Sequence, residues 1–353
     1  PEAYVRNQQI KIASPQIPNI AETFKQLLQQ PTVASKQDTF LKTIKSISEK
    51  KQNLIIPSVD VSIAPIDEHD KAVAMTTSCN ARYVSLDPHI GGQIAVVESA
   101  WKIICSGAKP LAITDGINIA NPTNPEVFWQ ITEAVEGIRK ACLTLETPVI
   151  SGNVSMYNQT EETAIYPTPI IGMVGKHSSM DHVTFGYFQQ AGDLIYVIGE
   201  TGIDFAGSEL QNLLDGTYEG RLAKMNLNLT KQHQELLLQA IQRGLIQSAQ
   251  YISVGGMSVA LAMGTTTTPY GVDVILKDNP VTALFSETPS RVLVSIKKEN
   301  REQFEQMFPD AKRIGSVSEQ PILTIRHNEK IVVKEPVKRL KEKMTDCIGQ
   351  WLS

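Results

Sequence analysis

Residues 110–122 read Pro110-Leu-Ala-Ile-Thr-Asp-Gly-Ile-Asn-Ile-Ala-Asn-Pro122, and 148–155 read Pro148-Val-Ile-Ser-Gly-Asn-Val-Ser155. Each is a short apolar run that stops abruptly in small and polar residues. Between them Val127, Ile131, Ala134 or Val135, Ile138 and Ala141 or Cys142 recur at helical spacing, so the order is strand, amphipathic helix, buried strand. The same form precedes them: Ala72-Val-Ala-Met-Thr-Thr77 reads as a strand, and the stretch from Gly91 to Gly107 sets Ile94, Val97, Trp101 and Ile104 on one helical face. Strands alternating with helices predict an α/β or α+β domain.

Outward from this block, residues 1–60 are polar and punctuated by Pro15, Pro18, Pro31 and Pro57, and read as a connector with two short helical stretches near 19–30 and 35–50. A strand within Ile165–Gly175 closes a first domain at 61–177. The segment His177–Ala191 bridges to a second domain at 188–330, which opens with Leu194-Ile-Tyr-Val-Ile198. It carries a Gly/Ser loop at Phe205–Glu209, a helix near 229–243 and a Gly255-Gly256 helix start. A closing helix within 331–353 sets Val337, Leu340, Met344, Cys347 or Ile348, and Trp351 on one face. Lys338, Arg339, Lys341, Glu342 and Lys343 point away from it, and their basic cluster reads as a solvated face.

The 353 residues include 33 Lys+Arg and 37 Asp+Glu, a formal charge of −4. That balance supplies no broad positive field, which argues against nucleic acid or anionic membrane as a partner. No apolar run is long enough to span a bilayer and the start lacks a signal peptide, so a soluble, cytoplasmic protein is expected. Cys79, Cys105, Cys142 and Cys347 lie far apart and form neither a zinc pattern nor a disulfide framework; they read as reduced packing thiols. A first residue of Pro is compatible with a removed Met and equally with a piece cut from a longer chain.

Strand ends in α/β sheets bind ligands because their loops present backbone N–H groups and short polar side chains. At Ser151-Gly-Asn-Val-Ser155, Gly152 permits close backbone approach, Asn153 offers a carbonyl oxygen to a hard cation such as Mg²⁺, and Ser155 offers a hydroxyl to a phosphate or sugar. Asp115 is placed to accept from a nucleotide amine or hydroxyl, or to hold metal. The plain alternative is a Gly152-Asn153 turn with Asp115 as a loop cap. Gly255-Gly256 suits a phosphate-binding helix N-terminus but is weak evidence alone. His89 reads as a turn residue, and His177 and His182 as surface or bridging residues. The P-loop, zincin, nucleophile-elbow and dinucleotide-fold templates are all absent.

Thr76-Thr-x-x-Asn-Ala-Arg-Tyr-Val-x-Leu-Asp-Pro88, Gly91-Gly-x-Ile-Ala95, Ser106-Gly-Ala-Lys-Pro-Leu-Ala-Ile-Thr-Asp115, Ser151-Gly-Asn-Val-Ser-x-Tyr-Asn158 and Ile165-Tyr-Pro-Thr-Pro169 together resemble one family. It is the C-terminal half of the phosphoribosylformylglycinamidine synthases (formylglycinamidine ribonucleotide synthetases) of purine biosynthesis. The likeness continues through Gln190–Glu200, Phe205-Ala-Gly-Ser-Glu-Leu-Gln211, Leu284-Phe-Ser-Glu287 and Arg313-Ile-Gly-Ser316, covering about 60–330.

The resemblance implies an aminoimidazole ribonucleotide synthetase-like two-domain half: an N-terminal strand-pairing domain and a C-terminal α/β domain. It implies an ATP-dependent ligase that activates the amide oxygen of formylglycinamide ribonucleotide and receives ammonia from a glutaminase subunit. It implies Asp115 and Gly152 as ATP contacts, Asn153 as a Mg²⁺ ligand and Ser155 as a substrate contact. Catalytic residues are expected on the N-terminal half, which this sequence lacks, so the isolated half is expected to be inactive. Three positions depart from the family: Ser78 and Val254 stand where an acidic residue is usual, and Ala120 where Gly is commoner. The rival readings are a non-catalytic scaffold half that keeps only the pairing surface, and a stand-alone homodimer of the wider superfamily. In each reading the strands that pair with a missing half leave an exposed edge, so self-association through the first domain is expected.

Overall fold

The computed structural model of the chain describes residues 1–36, 56–57, 60–66, 70–161 and 163–352; the helical stretch expected near 35–50 lies largely outside them. Helix α1 (Glu2–Gln9) and helix α2 (Ile20–Leu28) come first. Asn19 caps α2 by accepting from the Glu22 N–H. Its apolar face fully buries Phe24, Leu27 and Leu28 in the core of the second domain. Residues 10–12 also reach that domain, where the Arg221 N–H donates to the Ile10 carbonyl. The first part of the expected connector is therefore packed structure.

The first domain contains strands β1 (Ile56–Pro57), β2 (Ser62–Pro65) and β3 (Ala72–Ser78), helices α3 (Ala81–Leu86) and α4 (Pro88–Cys105), strand β4 (Lys109–Asn118), helix α5 (Pro125–Leu145), and strands β5 (Val149–Ser155) and β6 (Thr168–His177). The strands lie in the order β1-β2-β3-β6-β4-β5, antiparallel except for the parallel pair β4 and β5. Asp87 and Asn124 cap α4 and α5, with Pro88 and Pro125 in the first turns. The face of α4 expected from the sequence is buried as a whole: Ile94, Val97, Trp101 and Ile104 all enter one core.

One expectation fails here. Pro148-Val-Ile150 was read as the start of a buried strand, yet β5 is the sheet edge, with Val149 48% and Ile150 69% exposed. An apolar run looks the same whether another layer of its own chain covers it or not.

The second domain contains β7 (Leu194–Ile198), α6 (Glu209–Asp215), α7 (Leu227–Gln242), β8 (Ser248–Tyr251), α8 (Gly256–Thr266), β9 (Gly271–Leu276), α9 (Pro280–Phe285), β10 (Val292–Ile296), α10 (Arg301–Met307), β11 (Lys312–Ser318), β12 (Ile322–His327), β13 (Lys330–Pro336) and α11 (Val337–Leu352). Its sheet runs β13-β12-β9-β11-β7-β10-β8, antiparallel except for β9 with β12. On α11, Val337, Leu340 and Met344 are buried as expected, whereas the side chains of Cys347, Ile348 and Trp351 lie outside the described residues. Helices α4 and α7 and strands β7, β8 and β10 share a single core that joins the two domains. Among the described residues no helix is long and apolar enough to cross a membrane.

Candidate functional site

The parallel pair β4 and β5 holds all four residues singled out from the sequence. Its register sets Asp115 opposite Gly152, Gly116 opposite Asn153, and Asn118 opposite Ser155. Because side chains alternate along a strand, the four divide between two faces. Asp115 and Gly152 belong to the face covered by α5. Asn153 and Ser155 belong to the opposite face, where a Cβ placed on Gly116 would meet only the Ile170 carbonyl, at 4.0 Å. The strand pair unites the four, but no single pocket does.

Asp115 lines a cavity of about 640 Å³ between α5 and the sheet edge, walled by Val135, Ile138, Cys142, Leu143 and Val149 with Arg139 and Glu146 at its margin. Burial raises the Asp115 pKa. The carboxylate lies over Gly152, where a Cβ would come within 2.2 Å of Oδ1; this close approach, not a turn, accounts for the glycine. Asn153 is exposed on a flat strand. The Ser155 hydroxyl donates to Asn158 Oδ1 at 3.2 Å, and Asn158 Nδ2 donates to the Ser155 and Ile119 carbonyls at 2.9 and 3.0 Å. Asn158 thereby fixes the strand end. Ala120 sits beside this end, where its carbonyl accepts from the Tyr157 N–H.

Asn153 contributes one hard oxygen, and its register partner is Gly116. Among the described residues no group of three His, Cys, Asp or Glu side chains gathers to hold a metal. A Mg²⁺ at Asn153 therefore needs most of its ligands from phosphate, water or another chain, a sharing common for this ion.

The Gly255-Gly256 helix start behaves differently from expectation. Both residues have positive φ, 79° and 67°, and the N-terminus of α8 does receive an anion, but that anion is the chain's own Glu287. Its Oε1 accepts from the Gly255 N–H at 2.7 Å and from the Glu209 N–H, at the start of α6, at 2.9 Å. Its Oε2 accepts from the Tyr83 hydroxyl. Burial raises the Glu287 pKa, opposed by Arg82 and these donors. Arg82 Nη1 donates to Glu209 Oε2 at 2.6 Å and to the Tyr218 hydroxyl at 3.0 Å. The sequence reading assigned these charges no role, although Arg82, Glu209 and Glu287 each stand inside otherwise small or apolar strings.

One histidine also differs from expectation. His177, read as a surface or bridging residue, is fully buried with neither ring nitrogen hydrogen-bonded. Burial lowers its pKa to about 4. His89 lies in the first turn of α4, with Nδ1 3.5 Å from Glu133. Cys105 and Cys142 are buried free thiols, and Cys79 is a half-buried one.

Two family models match in sequence order, "AIR synthase related protein, N-terminal domain" over residues 59–177 and "AIR synthase related protein, C-terminal domain" over 190–328. The chain belongs to the AIR synthase related family. Both AIR synthase related domains are thus present, matching the two mixed sheets. Among solved structures, Thermotoga maritima PurL complexed with FGAR is similar with a TM-score of 0.74 and 16% identity, over 93% of this chain and 54% of that one. The same organism's phosphoribosylformylglycinamidine synthase II gives 0.72 and 18%, over 93% and 52%. A chain of a HypE-HypF complex gives 0.61 and 14%, over 83% and 98%. The AIR synthase related chain described here spans about half the length of the Thermotoga maritima structures it resembles.

Proposed function

We propose that this chain is the C-terminal half of an ATP-dependent phosphoribosylformylglycinamidine synthase. In this reading it lends Asp115 and Gly152 to ATP, Asn153 to Mg²⁺ and Ser155 to formylglycinamide ribonucleotide, in a site completed by an N-terminal half. The observation that carries the reading is the placement of all four on one hydrogen-bonded strand pair at an exposed sheet edge. The Asp115 face has a cavity and the Asn153 face is open, and a second body docked on β5 would touch both. Solved structures of Thermotoga maritima PurL with FGAR, ATP, ADP and AMPPCP support a nucleotide and this substrate class.

The chemistry follows from the parts. ATP transfers its γ-phosphoryl group to the amide oxygen, and ammonia from a glutaminase partner then adds at the activated carbon and expels phosphate, leaving the amidine. Positioned donors and Mg²⁺ do most of the work in such a transfer. Catalytic acid-base groups are assigned to the absent half, and the cell compartment to the cytoplasm.

The test is reconstitution of the chain with an N-terminal half and a glutaminase, reading amidine formation. Asp115→Asn and Asn153→Ala should each lower the rate at least tenfold, and the chain alone should not turn over. Full activity of the isolated chain, or an unaffected Asp115→Asn assembly, would overturn the reading. A second reading, a non-catalytic scaffold half, draws support from Ser78, Val254 and the self-filled start of α8. It expects no Mg-ATP binding and no loss with Asn153→Ala.

A further inference from the structure

Lys102 projects from α4 into acidic surroundings between the two domains. Its Nζ lies 2.8 Å from Glu98 Oε1 and donates to Ser78 Oγ at 3.1 Å. Asp60 is the second acidic group here, bordering the same two cavities as Lys102. Glu98 also accepts from Ser253 Oγ of the second domain at 3.0 Å, and the next residue is Val254. Ser78, one of the two positions where the resembled family carries acids, is thus bonded to this ion pair, while Val254 packs against the second domain's core. At Ser78 a carboxylate is missing and one ammonium is present.

Space and charge agree. On the inner side, Asp60, Lys102, Cys105 and Tyr251 border a void of only about 10 Å³, at the lower limit for a single water. Mg²⁺ demands six oxygens near octahedral geometry and keeps several waters. On the outer side, Lys102 and Asp60 form part of the wall of a cavity of about 780 Å³ with Thr76, Thr77 and Tyr187. A divalent ion entering from there meets a positive charge. The ammonium, by contrast, already bonds Glu98 and Ser78.

We propose that Lys102 is the resident cation of this interdomain cleft, an ammonium standing where a divalent ion would otherwise neutralise Glu98 and Asp60, so that the two domains join there without metal. The test uses the whole chain and Mn²⁺ alone as probe. Lys102→Gln should lower the Tm and create a saturable Mn²⁺ response, a rise of about 2–4 °C, absent from wild type and from Lys102→Gln/Glu98→Gln. A folded Lys102→Gln indifferent to Mn²⁺ would overturn the proposal. Should that variant not fold, electron paramagnetic resonance titration of wild type against Glu98→Gln decides. Equal Mn²⁺ binding supports the proposal, and loss of one bound Mn²⁺ in Glu98→Gln overturns it.

Discussion

Arg82 of the first domain and Glu209 of the second meet at 2.6 Å with side chains 10% and 2% exposed. Burial alone would lower the Arg82 pKa, but Glu287 and Glu209 outweigh it and raise it. Removing one partner of such a pair strands the other charge in a dry interior. Arg82→Met should therefore cost about 3–5 kcal/mol, measured by denaturant unfolding. Arg82→Met/Glu209→Gln should cost less than the sum of its two single changes, because one stranded charge is removed along with its partner.

Gly152 offers a separation of stability from binding. A methyl group there would collide with Asp115 Oδ1, a mobile carboxylate end that can rotate aside. Gly152→Ala should lower stability by only about 0.5–1.5 kcal/mol, the cost of an off-rotamer side chain. Nucleotide affinity of the reconstituted assembly should fall at least tenfold, read by calorimetry. Unchanged affinity would remove Asp115 from the nucleotide contacts.

His177 makes stability depend on pH. Its folded pKa of about 4 lies below the ordinary value of 6.5. Well above pH 6.5 both states are neutral and the group is silent. As pH falls from 6.5 towards about 4 the unfolded chain gains a proton that the native chain refuses, so stability declines, and the decline ends once the native ring protonates. The loss from this group is at most about 3 kcal/mol. Chemical unfolding followed across that window should show it, and His177→Leu should flatten the profile.

The edge of β5 presents Ile150 and Val154 with no strand beside them among the described residues. Ile150→Lys should leave stability within about 0.5 kcal/mol of wild type, as for an exposed substitution. It should weaken self-association or docking of an N-terminal half, because a lysine on an edge opposes strand addition. Sedimentation velocity of wild type and variant would show the difference. Monomer in both at micromolar concentration would count against pairing through this edge.

How far the sequence could be read depends on the distance over which each feature is encoded. Trp101 and its helical neighbours were legible because a period of 3.6 is local. The strand pair carrying Asp115 and Gly152 was legible from its abrupt change to small polar residues. Alternation already implied that Gly152 and Asn153 address opposite faces, a consequence that needed the register to become useful. The contacts of Glu287 with Gly255 and Glu209, and of Glu98 with Ser253, join residues far apart in sequence. A charge inside an apolar string signals that a partner exists, but tertiary packing names it. His177 carried no signal at all, since a lone histidine reads the same on a surface or in a core.

The burial of Phe24, Leu27 and Leu28 among residues such as Val197, Met257, Leu261 and Met344 sets an order for assembly. During synthesis α2 emerges long before its binding groove is complete, since that groove includes Leu340 and Met344 of α11. Closing so long a loop is slow compared with local helix formation. The early segment therefore stays exposed on the nascent chain and docks late, so the second domain becomes complete only when α2 returns to it.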